Sequence, residues 1–253
     1  PPQLSDTDLE QRWHASGLAP LRLAGRDLLP VVQGGMGVGV SAHRLAGSVA
    51  AQGAVGTISS IDLRRHHPDL MARTQAEGTG LQAKAVIDAA NLEALQREIA
   101  AARTLANGRG LLAVNVMRAV SEYAPLVRTA LEAGIDAVVV GAGLPLDLPD
   151  LAREHPKAAL VPILSDARGI ARVVKKWARK GRLPDAIVVE HPKHAGGHLG
   201  AARGQLFRGH PGDFLQRLRG GMDPRHQRRV GTRDRRTCLH RGDFAGGHRH
   251  RGL

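Results

Sequence analysis

Apolar runs of five to seven residues alternate with stretches of helical period from residue 25 to about residue 203. The runs Leu29–Gln33, Ala54–Ser59, Leu111–Met117, Ala137–Gly141, Ala159–Leu164 and Ala186–Glu190 predict strands. Ala83–Ile87 is a weaker strand candidate. Between them the periodicity predicts helices over Ala42–Gln52, capped by Ser41, and over Leu92–Leu105, following Asn91. Further helices are expected over Glu122–Ala133, after Ser121 and stopping at Gly134, and over Ile170–Arg179, after Asp166. Strands that are apolar throughout and separated by helices pair in parallel, with both faces covered. The class is therefore α/β, as a barrel or a doubly wound sheet.

This grammar stops after Arg203. Residues 204–253 hold 12 Arg, 4 Asp, 10 Gly and 5 His, with no Lys, Glu or Ile, and show no convincing strand run or apolar helical stripe. The expected organisation is a partial barrel domain over 1–203 and an aberrant or disordered Arg/Gly/His-rich tail over 204–253. That composition matches a GC-rich gene translated out of frame, and the encoding DNA tests the idea. Most of the chain's formal +13 charge sits in this tail. A basic arm that binds nucleic acid is the alternative, which this localisation of charge makes the weaker reading.

The other bulk properties narrow the class further. No apolar run reaches membrane-spanning length, and the single cysteine, Cys238, leaves no internal disulfide framework. A cytoplasmic protein without a membrane partner is expected. Aromatic residues make up only 2% of the chain, so Ala, Val, Leu and Ile must build the core.

Candidate chemistry recurs just after strands. Gln33-Gly34-Gly35-Met36-Gly37-Val38-Gly39-Val40-Ser41 follows the first run, as a cofactor cradle or a tight strand–helix turn. Its glycine spacing does not match the dinucleotide fingerprint GxGxxG. Asn115, late in the third run, carries a donor and an acceptor for a heterocycle edge or for local backbone. Gly141-Ala142-Gly143-Leu144-Pro145 leaves room for a ligand or only turns the chain. Lys84 is a ligand contact or a surface lysine. After the sixth run comes Ala195-Gly196-Gly197-His198-Leu199-Gly200. Tandem glycines allow close backbone approach to a planar ligand, and one imidazole there can act as acid or base near neutral pH. A metal held by His191, His194 and His198 is disfavoured, because Gly196 and Gly197 interrupt the helix this spacing would need. Shared placement at strand ends describes one pocket at the C-terminal face of a parallel barrel.

Leu29–Ser41 with Gly56-Thr57-Ile58-Ser59, Val114-Asn115-Val116, Asp136–Pro149 and Ala186–Gly200 together resemble the nitronate monooxygenase family, formerly called 2-nitropropane dioxygenases. The resemblance covers residues 25–203 and is most specific in the AGGHLG run. It implies a TIM (β/α)8-type barrel, here incomplete at about six strands with an irregular basic C-terminal tail. It also implies FMN as cofactor and oxidation of alkyl nitronates with O2 to a carbonyl compound and nitrite. By resemblance His198 is the catalytic base or positions the nitronate, while Gly34, Gly35, Met36, Asn115, Gly196 and Gly197 contact FMN. A nitronate or nitroalkane and O2 are the implied partners. Two departures stand out. Glu190-His191-Pro192-Lys193-His194 is bulkier and more basic than the family pattern, which suits an anionic nitronate or an exposed turn. The glycine-rich loops of strands seven and eight, which hold the FMN phosphate in the family, are not found. Weak or absent FMN binding and poor solubility follow as expectations. The alternative enzyme is the related FMN-dependent enoyl-acyl carrier protein reductase.

Overall fold

In a computed structural model the described residues are 6–75, 80–190 and the backbone of 238–241. Helix α1 (Asp6–Ser16) precedes a hairpin of β1 (Leu21–Leu23) and β2 (Arg26–Leu28). Then come α2 (His43–Ala51), β3 (Val55–Ser59), a 3-10 turn at Leu63–His66 and α3 (Pro68–Gln75). The long helix α4 (Leu81–Ala106) leads to β4 (Leu111–Met117), α5 (Tyr123–Glu132), β5 (Ala137–Gly141) and α6 (Leu148–Leu151). The series continues with β6 (Ala159–Leu164), α7 (Ala167–Ala178), β7 (Ile187–Glu190) and β8 (Cys238–Arg241). Strands β3 to β8 pair in parallel in sequence order, the arrangement of a barrel wall rather than of a doubly wound sheet, whose strand order reverses.

Alternation along the strands divides the core in two. Ile58, Leu112, Val114, Val116, Val138, Val140, Leu160 and Leu164 pack outward against helix residues such as Ala94, Ile99, Val127 and Trp177. Val55, Leu111, Ala113, Ala137, Ala159, Val161 and Ala186 face the other way and meet Leu21, Leu23 and Leu28 of the hairpin. Both faces are buried, which is why these strands read as unbroken apolar runs. The hairpin seals the N-terminal mouth of the barrel. Arg26 fastens it by donating to the Gly110 carbonyl at 2.5 Å and to Asp136 at 3.3 Å.

Strands β4, β5 and β6 have the bounds expected from sequence, and β3 and β7 each begin one residue later. Leu29–Gln33 is the partial exception. It runs parallel to β3 through a single bridge, Val32 to Val55, with hydrogen bonds from Gln33 N to Val55 O (2.9 Å) and Val55 N to Val31 O (3.0 Å). Ala83–Ile87 is not a strand but the first turns of α4, because a short apolar run cannot distinguish the two states. Asn91 lies inside the same helix, and its side chain accepts from the Arg64 amide at 3.2 Å. Ser41 does not cap α2. Ala42 holds that position, and the buried Glu98 carboxylate of α4 accepts the His43 N–H at 2.7 Å. Glu98 also meets the His43 ring at 2.7 Å and the His67 ring at 3.1 Å. Asp166 caps α7 as expected, accepting from Gly169 N at 2.8 Å. Cys238–Arg241 forms β8 beside β7, although the tail offered no convincing strand run. Four residues are too short for a pattern to show.

Candidate functional site

The glycine-rich segment after Gln33 folds into a loop closed on Ser41. The Ser41 hydroxyl accepts from Met36 N and Gln33 Nε2, both at 2.9 Å, and donates to the Gly34 carbonyl at 3.2 Å. The Ser41 amide donates to Met36 O at 3.0 Å, and Ser59 N donates to Ser41 O at 2.9 Å. Gln33 bridges the loop to β3, its amide donating to Thr57 O (3.1 Å) and accepting from Thr57 N (2.9 Å). Ser41 is thus the knot of the loop rather than a helix cap. A local serine with orphan amides around it finds the partners it would otherwise offer a helix.

The loop lies directly on Asn115. A Cβ added at Gly35 would stand 2.5 Å from the Asn115 Cβ, so only glycine permits this approach. Gly37 approaches the Ser59 hydroxyl in the same way, with an added Cβ at 3.2 Å. Asn115 pairs in register with Ser59 and Val139, and its amide reaches the Val139 carbonyl only at 3.4 Å. Met36, Val38 and Val40 are half-exposed along the loop. An apolar ledge beside an under-used amide fits the edge of a planar heterocycle such as the ring of FMN. The structure therefore brings Gly34, Gly35, Met36 and Asn115 together. Gly196, Gly197 and His198, with His191 and His194, lie outside the described residues. Among the described residues no group of His, Cys, Asp or Glu is arranged to hold a metal ion.

Gly141-Ala142-Gly143 makes room for a side chain rather than for a ligand. Gly143, at φ +135°, leaves space for the Arg118 stem, which an added Cβ would approach to 3.2 Å. Arg118 follows β4 directly, and its amide donates to Gly141 O at 2.8 Å. Its guanidinium lies 4.5 Å from the ring centre of buried Tyr123, and its Nε is 3.4 Å from an Asp147 carboxylate oxygen. The Tyr123 hydroxyl is held well above its usual range, first by burial and then by the Asp147 charge, with Arg118 opposing, so it stays neutral. Sequence reasoning passed over Arg118; its position three residues beyond Asn115, at the same strand end, was the available signal. Lys84 sits in the first turn of α4, where it pairs with Asp88 at 2.5 Å and with Glu122, so its side chain is engaged by protein carboxylates.

A cleft of about 710 Å³ lined by Ala24, Arg26, Asp136, His155 and Lys157 lies at the opposite, N-terminal end of the barrel. Chemistry in a parallel barrel is held at the C-terminal ends of the strands, where Gly35, Asn115 and Arg118 are. No helix among the described residues is long and apolar enough to cross a membrane.

Comparison with known proteins agrees with this geometry. The chain is similar to FabK from Thermotoga maritima at 19% identity, covering 77% of this chain and 48% of that one with a TM-score of 0.50. It also aligns with nitroalkane oxidase from Streptomyces ansochromogenes at 17% identity, over 77% of this chain and 56% of that one, with a TM-score of 0.48. The first likeness shows the fold alone, a TIM barrel of which this chain presents part. The chain spans about half the length of these structures. No curated protein matches it. The family model described as nitronate monooxygenase matches residues 26–211, and the chain belongs to that family.

Proposed function

We propose that the chain forms the ring-binding side of an FMN site in an oxidoreductase that converts alkyl nitronates and O2 to carbonyl compounds and nitrite. The observation that carries this reading is the glycine loop Gly34-Gly35-Met36 seated on Asn115, in a chain of the nitronate monooxygenase family. Backbone amides of the loop and the Asn115 amide would hold the edge of the ring, while Met36 would lie against its face. FMN supplies electron acceptance from the substrate and delivery to O2, with the protein contributing orientation and electrostatics. His198 would take the proton from the carbon that bears the nitro group of a neutral nitroalkane, or hold an already anionic nitronate. Gly196 and Gly197 would bring backbone close to the flavin. A soluble small-molecule enzyme, located in the cytoplasm, is the corresponding cellular reading.

The experiment is titration of the purified chain with FMN, followed by a nitrite assay with propionate 3-nitronate and propyl-2-nitronate. Nitrite release that requires FMN and falls at least a hundredfold in His198→Asn is the expected result. Consumption of NADH with an enoyl thioester, without nitrite release, would assign the site to reductase chemistry instead.

A further inference from the structure

We propose that Arg118 is an anion anchor at the rim of this site, and that it takes a carboxylate carried by the substrate at the end remote from its reacting carbon. The assignment to substrate rests on the flavin-site reading above; the anion site itself rests on the geometry of Arg118.

Three observations build that site. Arg118 is held from two sides. Tyr123, itself 2% exposed, presents its ring face to the guanidinium at 4.5 Å, and Asp147 faces Nε at 3.4 Å. Three buried polar atoms converge here, the Arg118 Nε, an Asp147 carboxylate oxygen and the Tyr123 hydroxyl, and none has a hydrogen-bond partner among the described residues. Such a cluster is costly to maintain without a ligand or water to complete it. The side chain is 39% exposed, and no terminal nitrogen of the guanidinium has a partner among the described residues. What remains open is the paired edge of a planar fork, whose best complement is a planar two-oxygen anion.

Position then selects which part of the substrate it meets. Asn115 and Met117 stand on the side of β4 that faces the barrel interior, whereas Val114 and Val116 pack outward. Arg118 continues the outward series just past the strand, so it stands at the rim while Asn115 faces the ring site. A group bound there is offset from the reacting carbon. The Arg118 stem depends on Gly143, and its amide on Gly141, so the second glycine-rich turn serves this anchor.

The test follows the Arg118 Nε–H resonance in the 15N-labelled full chain, assigned by its loss in Arg118→Lys, with no FMN present. Saturable movement with propionate, absent with equal chloride, is expected. No response beyond chloride, or tighter binding of inorganic phosphate than of propionate, would overturn the proposal. With FMN added, 3-nitropropionate should bind at least tenfold more tightly than 1-nitropropane. Arg118→Lys, which keeps the charge but loses the fork, should remove most of that preference without changing affinity for 1-nitropropane. An unchanged preference in the variant overturns the substrate assignment. Failure of FMN itself to bind counts against the flavin reading, while the propionate response still decides the anion site.

Discussion

At the scale of single residues, the site depends on what is missing from a side chain. Gly35 is pressed onto Asn115 so closely that a methyl group would overlap the Asn115 Cβ, an atom fixed to the strand backbone. That neighbour cannot swing away as a long flexible side chain would. Gly35→Ala therefore has to lift the loop off β4, separating the two elements that together face the flavin ring. The loop lies on the rim and its hydrogen bonds close locally on Ser41 and Gln33, so the barrel core is spared. The expected outcome is a loss of FMN affinity of at least tenfold, read by flavin fluorescence titration, with far-UV circular dichroism unchanged. Wild-type affinity in this variant would place the ring elsewhere. The glycines, Asn115 and their grouping were legible from position alone, because each follows an apolar run. Arg118 and Glu98 were not. Both act through partners distant in sequence, Asp147 and Tyr123 for one and His43 and His67 for the other, which local pattern does not reveal.

At the scale of elements, the sequence was readable where burial is symmetric. β4, β5 and β6 are apolar on both faces and have the bounds expected. The hairpin was missed, although Leu21-Arg22-Leu23 and Arg26-Asp27-Leu28 flank a two-residue turn. Ala24 and Gly25 both sit at positive φ, as a type I′ turn demands, but alanine rarely accepts that conformation and so hides the signal. α4 was split because its first turns are short of apolar contrast. Its N-terminal end is tied instead by charge. Lys84 pairs with Asp88 on the same helix and with Glu122 at the start of α5. Hydrogen bonds from Lys84 and then Ser121 hold the Glu122 carboxyl down at about 2, against an ordinary value of 4.5. A depressed folded-state value means this tie contributes fully above about pH 4.5 and is lost as the pH falls towards 2. Glu122→Gln should therefore flatten the acid limb of the stability curve in that window and leave stability near pH 2 unchanged. Urea melts across pH 2 to 6, at low salt because the pair is partly exposed, measure it. Parallel curves for the two proteins would mean that the tie has no energetic weight.

At the scale of the whole molecule, the two ends of the barrel are assigned different work. The interior is narrow and lined with Ala113, Ala137, Ala159 and Ala186, residues too small to fill a barrel by themselves. Leu21, Leu23 and Leu28 enter from the N-terminal end and occupy that space, each no more than 5% exposed. Apolar packing thus closes one mouth, whereas Gly35, Asn115 and Arg118 gather at the other. Stability and ligand binding should then separate by position. Leu28→Ala removes a side chain that is 3% exposed, from a place where rigid strands limit collapse into the gap. A cost of about 2–5 kcal/mol is expected, seen as a lower urea midpoint. The Gly34–Met36 loop is held by Ser41, Gln33 and β3 and takes nothing from Leu28, so FMN affinity under native conditions should stay within twofold of wild type. A parallel fall in both quantities would mean that the hairpin plug and the ring site form one cooperative unit, and that the alanine-lined interior transmits packing from one mouth to the other.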